Sequence, residues 1–222
     1  MRYTHCFLDM DGTVVNSAPG VTHSVAYALE KCGIAPPPAE ELICFIGPPL
    51  VWSFAKFYGM NEEQTKQALE YYRQYYRKTG IYECDVYEGI ESLLKKLNEM
   101  GIVCVMATSK PHEFANQILE HKNLKQYFSF VSGPEMDGTR NEKAEVIAYA
   151  MENLSLTDPS KILMVGDRDH DTKGAALHGV DSVGALWGFG DAKELLSTGA
   201  KEVFETPLDL QKALCDPDFE AF

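Results

Sequence analysis

The sequence lacks a Cys-x-x-Cys pair, a histidine pair at metal-ligand spacing, a long apolar run and any excess of basic residues. Each absence closes off a class of function. Lys and Arg number 20 against 33 Asp and Glu, giving a formal charge of −13. A nucleic-acid polymer and an anionic membrane surface are therefore excluded as partners, since both require basic patches. The cysteines (Cys6, Cys32, Cys44, Cys84, Cys104, Cys215) are scattered, which fits reduced thiols in a cytoplasmic protein better than a zinc site or a disulfide framework. Before Asp9 the apolar stretch is only Cys6-Phe7-Leu8, too short for a signal peptide. No later run approaches the roughly 20 residues that a bilayer span requires. Internal repeats and low-complexity tracts are also missing.

What is present is an alternation. Tyr3 to Leu8, Ile102 to Ala107, Ser129 to Val131, Ile162 to Val165 and Ser182 to Leu186 read as strands, and helix-like segments separate most of them. Strands apolar on both faces and linked by helices imply a parallel sheet covered on both sides, a doubly wound α/β fold. One connection is too long for a single crossover, because the first strand ends near Asp9 and the second begins at Ile102. Between them Ser17 to Lys31, Leu50 to Tyr58 and Glu62 to Lys78 have helical composition, punctuated by Pro36-Pro37-Pro38 and Gly47-Pro48-Pro49. Residues 16–84 are thus expected to form a helical insert, with 1–15 and 85–222 as the core. A helix from Glu88 to Met100, stopped by Gly101, returns the chain to the second strand.

In such a sheet ligands bind beyond the carboxyl ends of the strands. The first strand ends Asp9-Met10-Asp11-Gly12-Thr13, where Gly12 permits a tight turn whose backbone N–H groups can meet an anion. The second ends Thr108-Ser109-Lys110, which offers hydroxyls for a phosphoryl oxygen. Arg140 and Lys143 stand at the head of a predicted helix, and the fourth strand ends Gly166-Asp167-Arg168-Asp169-His170-Asp171. Two carboxylates about 4 Å apart repel by roughly 4 kcal/mol at an effective dielectric of 20. Several in one dry cleft need either raised pKa values or a hard cation, and oxygen-only ligands favour Mg²⁺. The expected ligands are Asp9, Asp167 and the Met10–Asp11 region.

Asp-x-Asp-x-Thr, a later Thr or Ser, a Lys and a closing acidic motif, in that order, resemble the haloacid dehalogenase superfamily of phosphohydrolases. Asp9 to Gly20, Phe45 to Leu50 and Asp137 to Ile147 are similar to its phosphoglycolate phosphatase-like branch, which includes some 5'-nucleotidases. The resemblance implies a Rossmann-like core with an inserted helical cap, Mg²⁺ as cofactor and a small phosphorylated metabolite as substrate. It makes Asp9 the nucleophile, Asp11 the general acid and base, and Thr108 and Lys143 the holders of the phosphoryl oxygens, with Gly12 and Ser109 beside them. Asp171 becomes a metal ligand alongside Asp9, Asp11 and Asp167 or a neighbour of one. The cap is expected to open and close over the cleft, with Gly47 and Pro48 as substrate-contacting candidates.

Other features weigh against this reading or stay ambiguous. Glu135-Met136-Asp137-Gly138-Thr139 nearly repeats the first motif, but Gly133-Pro134 breaks the backbone before it, so a surface loop is expected. Arg140 fits a substrate contact and a solvated helix-start charge equally, as Lys110 fits a leaving-group contact and an exposed lysine. Arg168 is expected to pair with nearby acids, His170 to be exposed or to neighbour the site, and most of the aromatic set Phe54, Phe57, Tyr58, Tyr71, Tyr72, Tyr75 and Tyr76 to pack inside the insert. The rival functions are a phosphosugar mutase of the same fold and a phosphoacceptor signalling domain. Oligomeric state is open between monomer and dimer.

Overall fold

The computed structural model describes residues 3–216. Strand β1 (His5–Leu8) is followed by the short β2 (Val15–Asn16), helices α1 (Ala18–Lys31), α2 (Ala39–Leu42), α3 (Leu50–Tyr58) and α4 (Glu62–Lys78), and the short β3 (Asp85–Val86). Helices and strands then alternate as α5 (Ile90–Glu99), β4 (Val103–Ala107), α6 (His112–His121), β5 (Phe128–Ser132), α7 (Lys143–Asn153) and β6 (Ile162–Gly166). The chain closes with α8 (Asp169–Leu177), β7 (Asp181–Ala185), α9 (Ala192–Ser197), β8 (Val203–Phe204) and α10 (Pro207–Cys215). It divides into two compact units, one running to Val15 and resuming at Val86, the other Asn16–Asp85.

In the first unit six strands form one parallel sheet in the order β5-β4-β1-β6-β7-β8. This is the doubly wound α/β class expected from the sequence. The order reverses at β1, with β4 and β5 laid on one side of it and β6 to β8 on the other, and such a reversal opens a crevice at the carboxyl ends. Register decides what faces that crevice. Leu8 lies opposite Met106 on β4 and Val165 on β6, so Asp9, Thr108 and Asp167 emerge at one edge within a residue of the strand ends. The sheet is held by burial: Phe7, Val105 and Met164 are fully enclosed against Val146, Ile147 and Ala150 of α7 and Ala175 of α8. Each such side chain contributes about 1.5–3 kcal/mol. Helix α5 presents Ile90, Leu93, Leu94 and Leu97 inward, the i, i+3, i+4, i+7 stripe of an amphipathic helix.

The second unit is helical for the same kind of reason. Asn61 caps α4 by accepting from the Gln64 N–H at 3.0 Å, while the Gln64 side chain accepts from the Asn61 N–H at 3.0 Å. Ala68, Tyr72 and Tyr76 form the buried stripe of α4, the two rings stacked with centroids 5.4 Å apart. Phe54 packs edge-on to Phe45 at 5.0 Å, whereas Trp52 and Phe57 are exposed. Sequence and structure differ mainly at ends. Strand β1 starts at His5, two residues later than expected, while the buried Tyr3 donates its hydroxyl to Asp181 at 2.9 Å, and the two-residue β8 is too short to show a pattern. No described helix is long and apolar enough to cross a membrane.

Candidate active site

Lys143 occupies the first turn of α7 and reaches back across the strand ends. Its Nζ lies 2.8 Å from Asp9 Oδ1 and 2.7 Å from Asp171 Oδ1, and donates to the Ala107 carbonyl at 3.0 Å. Burial works against the ammonium, but Asp171 and Asp9 outweigh it and hold the lysine pKa above its ordinary value. The two carboxylate contacts are close yet poorly directed, so Asp9 Oδ1 and Asp171 Oδ1 remain without an aligned hydrogen bond.

Asp9 leaves β1 with its N–H donating to Val165 O at 3.0 Å, and Asp167 leaves β6 fully buried. One oxygen from each of Asp9, Asp167 and Asp171 lies within 4.8 Å of the others, and all three residues are buried. Burial, then repulsion from Asp171 and Asp9, pushes the Asp167 carboxyl well above the usual carboxylate range. Asp9 is pushed up as well, by burial first, with Lys143 opposing and Asp171 adding to the rise. One lysine does not neutralise three acids in so dry a place. A hard divalent cation fits a donor set made only of carboxylate oxygens, two of which lack an aligned hydrogen bond.

The turn after Asp9 is tightly constrained. Gly12 has φ +81°, and a Cβ there would sit 2.0 Å from Asp167 Oδ2. Within this turn, which the sequence reading offers to an anion through its backbone N–H groups, the Gly12 N–H itself donates to Val15 O at 2.9 Å, and the residue supplies clearance for Asp167. The Asp11 carboxylate lies outside the acidic trio, with Oδ1 3.0 Å from Lys110 Nζ. Of the four acids named as metal ligands, the buried trio takes in Asp9, Asp167 and Asp171, while Asp11 faces the buried Lys110. Lys110 is thus neither exposed nor solvated, its side chain only 7% accessible. Thr108 is fully buried and its hydroxyl accepts from the Lys110 N–H at 3.1 Å; Ser109 is half-buried in the same turn.

Arg140 is paired and largely covered rather than solvated. Its guanidinium lies 3.9 Å over the Tyr149 ring, donates to Gly133 O at 3.4 Å and pairs with Glu135, which also lies 3.3 Å from His112. With φ +65° it clips the loop that delivers Lys143. Arg140→Ala is expected to lower stability by about 1 kcal/mol, discounted because Glu135 is partly exposed; equal midpoints in urea denaturation would contradict this. The imitation motif is a turn of that loop, closed by Glu135 N–H to Thr139 O at 2.9 Å. Arg168 pairs with Glu194 at 2.9 Å. His170 is partly buried, with Nδ1 2.9 Å from Asp169. Gly47 and Pro48 lie in a bend before α3, in the other unit.

Sequence reasoning passes over two neighbours of the trio. Tyr87 has its hydroxyl pKa raised by burial and then by Asp167 and Asp11. The Trp187–Gly190 turn after β7 donates the Phe189 N–H to Asp167 Oδ2 at 2.8 Å and the Trp187 indole N–H to Thr13 O at 2.9 Å. Its two glycines, just past an apolar strand, were the available signal.

The family model described as haloacid dehalogenase-like hydrolase matches residues 6–185. A Pseudomonas aeruginosa protein named 5'-nucleotidase is 40% identical over 195 residues, covering 88% of each chain. A Mycobacterium tuberculosis protein named tyrosine-protein kinase PtkA is 36% identical over 184 residues, 83% of this chain and 62% of that one. The crystal structure of a predicted phosphatase from Clostridium acetobutylicum superposes with a TM-score of 0.92 at 40% identity, covering 96% of this chain and 99% of that one.

Proposed function

The chain belongs to the haloacid dehalogenase-like hydrolases, and from that premise we propose that it is a Mg²⁺-dependent cytoplasmic phosphatase of small phosphomonoesters, with Asp9 as nucleophile. The observation that carries this reading is the buried Asp9 carboxylate, 2.8 Å from Lys143 and within 4.8 Å of Asp167 and Asp171 oxygens, at the point where strand order reverses.

In the first half-reaction an Asp9 oxygen bonds to phosphorus as the phosphorus–oxygen bond to the leaving group breaks, and Asp11 gives that oxygen its proton. In the second, Asp11 takes a proton from water, whose oxygen bonds to phosphorus and releases Asp9 and inorganic phosphate. Lys143 and Thr108 hold the phosphoryl oxygens while charge shifts onto them. Asp9, Asp167 and Asp171 would hold Mg²⁺, which supplies charge neutralisation for acids and phosphate alike. Choice of the leaving group is assigned to the helical unit, where Gly47 and Pro48 are the first positions to vary.

The test is phosphate release across a panel that begins with nucleoside 5'-monophosphates and phosphoglycolate, in Mg²⁺ and in chelator. Turnover should need Mg²⁺ and favour one class. Full activity in chelator would defeat the metal assignment. Isomerisation of a sugar phosphate without net phosphate release would identify the mutase.

A further inference from the structure

Asp167 is the most enclosed acid of the trio, and what encloses it comes from an element with no acid of its own. Its Oδ2 accepts the Phe189 N–H at 2.8 Å, while Oδ1 has only a long contact of 3.4 Å from the Thr13 hydroxyl. The turn that carries Phe189 is pinned at its start: the Trp187 indole N–H donates to Thr13 O at 2.9 Å, in the turn that follows Asp9. Gly188, between them, is not in the left-handed region, so its backbone needs no special residue. What it needs is space, since a Cβ would lie 2.3 Å from Gly12 O and 2.6 Å from Asp167 Oδ2. Indole, glycine and amide therefore act on one carboxylate, holding one oxygen and leaving the other.

Resting on the Mg²⁺ reading above, we infer that the Trp187–Gly190 turn is a positioning element for metal binding, which orients Asp167 by holding Oδ2 so that Oδ1 is the oxygen left for the cation. Groups that orient a ligand typically change metal affinity 10- to 100-fold when removed. None of the turn's residues touches substrate in this role. The whole effect runs through Asp167.

The experiment is calorimetric titration of Mg²⁺ alone into the full metal-free chain, with melting temperatures in chelator measured in parallel. Trp187→Phe keeps an aromatic ring while removing the N–H and part of the indole's bulk, and is expected to weaken Mg²⁺ binding about 10-fold. Gly188→Ala forces the turn off Asp167 and should weaken it further, toward about 100-fold. Asp167→Asn should abolish the binding heat. A purely structural turn would lower the melting temperature in chelator and leave the Mg²⁺ affinity of Trp187→Phe unchanged; that result overturns the inference and leaves the metal reading standing. Failure of the unaltered chain to bind Mg²⁺ overturns both. Should Gly188→Ala not fold, Trp187→Phe alone decides.

Discussion

Asp9→Asn is expected to abolish turnover, by about 10⁴-fold or more, because the amide has no charge to attack phosphorus and no other carboxylate occupies its position. The expected stability change points the other way. Asp9 is an acid whose ionised form is already disfavoured by burial and by Asp171, with Lys143 compensating in part. Removing its charge lowers the repulsion within the trio, and Lys143 keeps Asp171 at 2.7 Å and the Ala107 carbonyl at 3.0 Å. The variant should therefore melt within about 1 kcal/mol of the native chain in chelator, or above it, since active sites are commonly strained in favour of function. Phosphate release and thermal denaturation on the same preparation read both halves. Sustained turnover by Asp9→Asn would remove the nucleophile from the mechanism; lost turnover with a collapsed melting temperature would mean that the residue is structural.

The contrast between Asp9 and Trp187 explains how much of this site was legible beforehand. Asp9, Thr108 and Asp167 each follow an apolar run directly, and a parallel sheet with every strand pointing one way must gather such residues at one edge. Period and position were enough. Lys143 was legible as the head of a helix, though its reach to the Ala107 carbonyl depends on how α7 packs across the sheet. Lys110 stayed ambiguous because nothing local distinguishes a solvated ammonium from a buried one; the Asp11 carboxylate 3.0 Å away decides it. The Trp187–Gly190 turn contributes an amide and an indole N–H, and backbone donors carry no signature in side-chain chemistry. Arg140 stayed open for a related reason, since its partners Glu135, Gly133 and Tyr149 meet it through a left-handed turn.

Lys143→Met is expected to have the second largest effect, on stability and activity together. Methionine comes close to lysine in length and helix propensity, so the change removes chiefly the ammonium, with its charge and its hydrogen bond to the Ala107 carbonyl. In chelator Asp9, Asp167 and Asp171 would then face one another with no cation among them, and removing one partner of a buried ion pair typically costs about 3–5 kcal/mol. Activity should fall by about 10²–10³-fold, as when one preorganised donor to developing charge is deleted. Mg²⁺ supplies the control. A ligand at 100 times its dissociation constant adds about 2.7 kcal/mol, and at one fixed Mg²⁺ concentration it should add more to Lys143→Met than to the native chain, because there it meets acids that nothing else neutralises. Urea denaturation of both chains, with Mg²⁺ and with chelator, closes this cycle. If the variant in chelator is as stable as the native chain, the three acids do not share the charge problem that places Lys143 and the metal together.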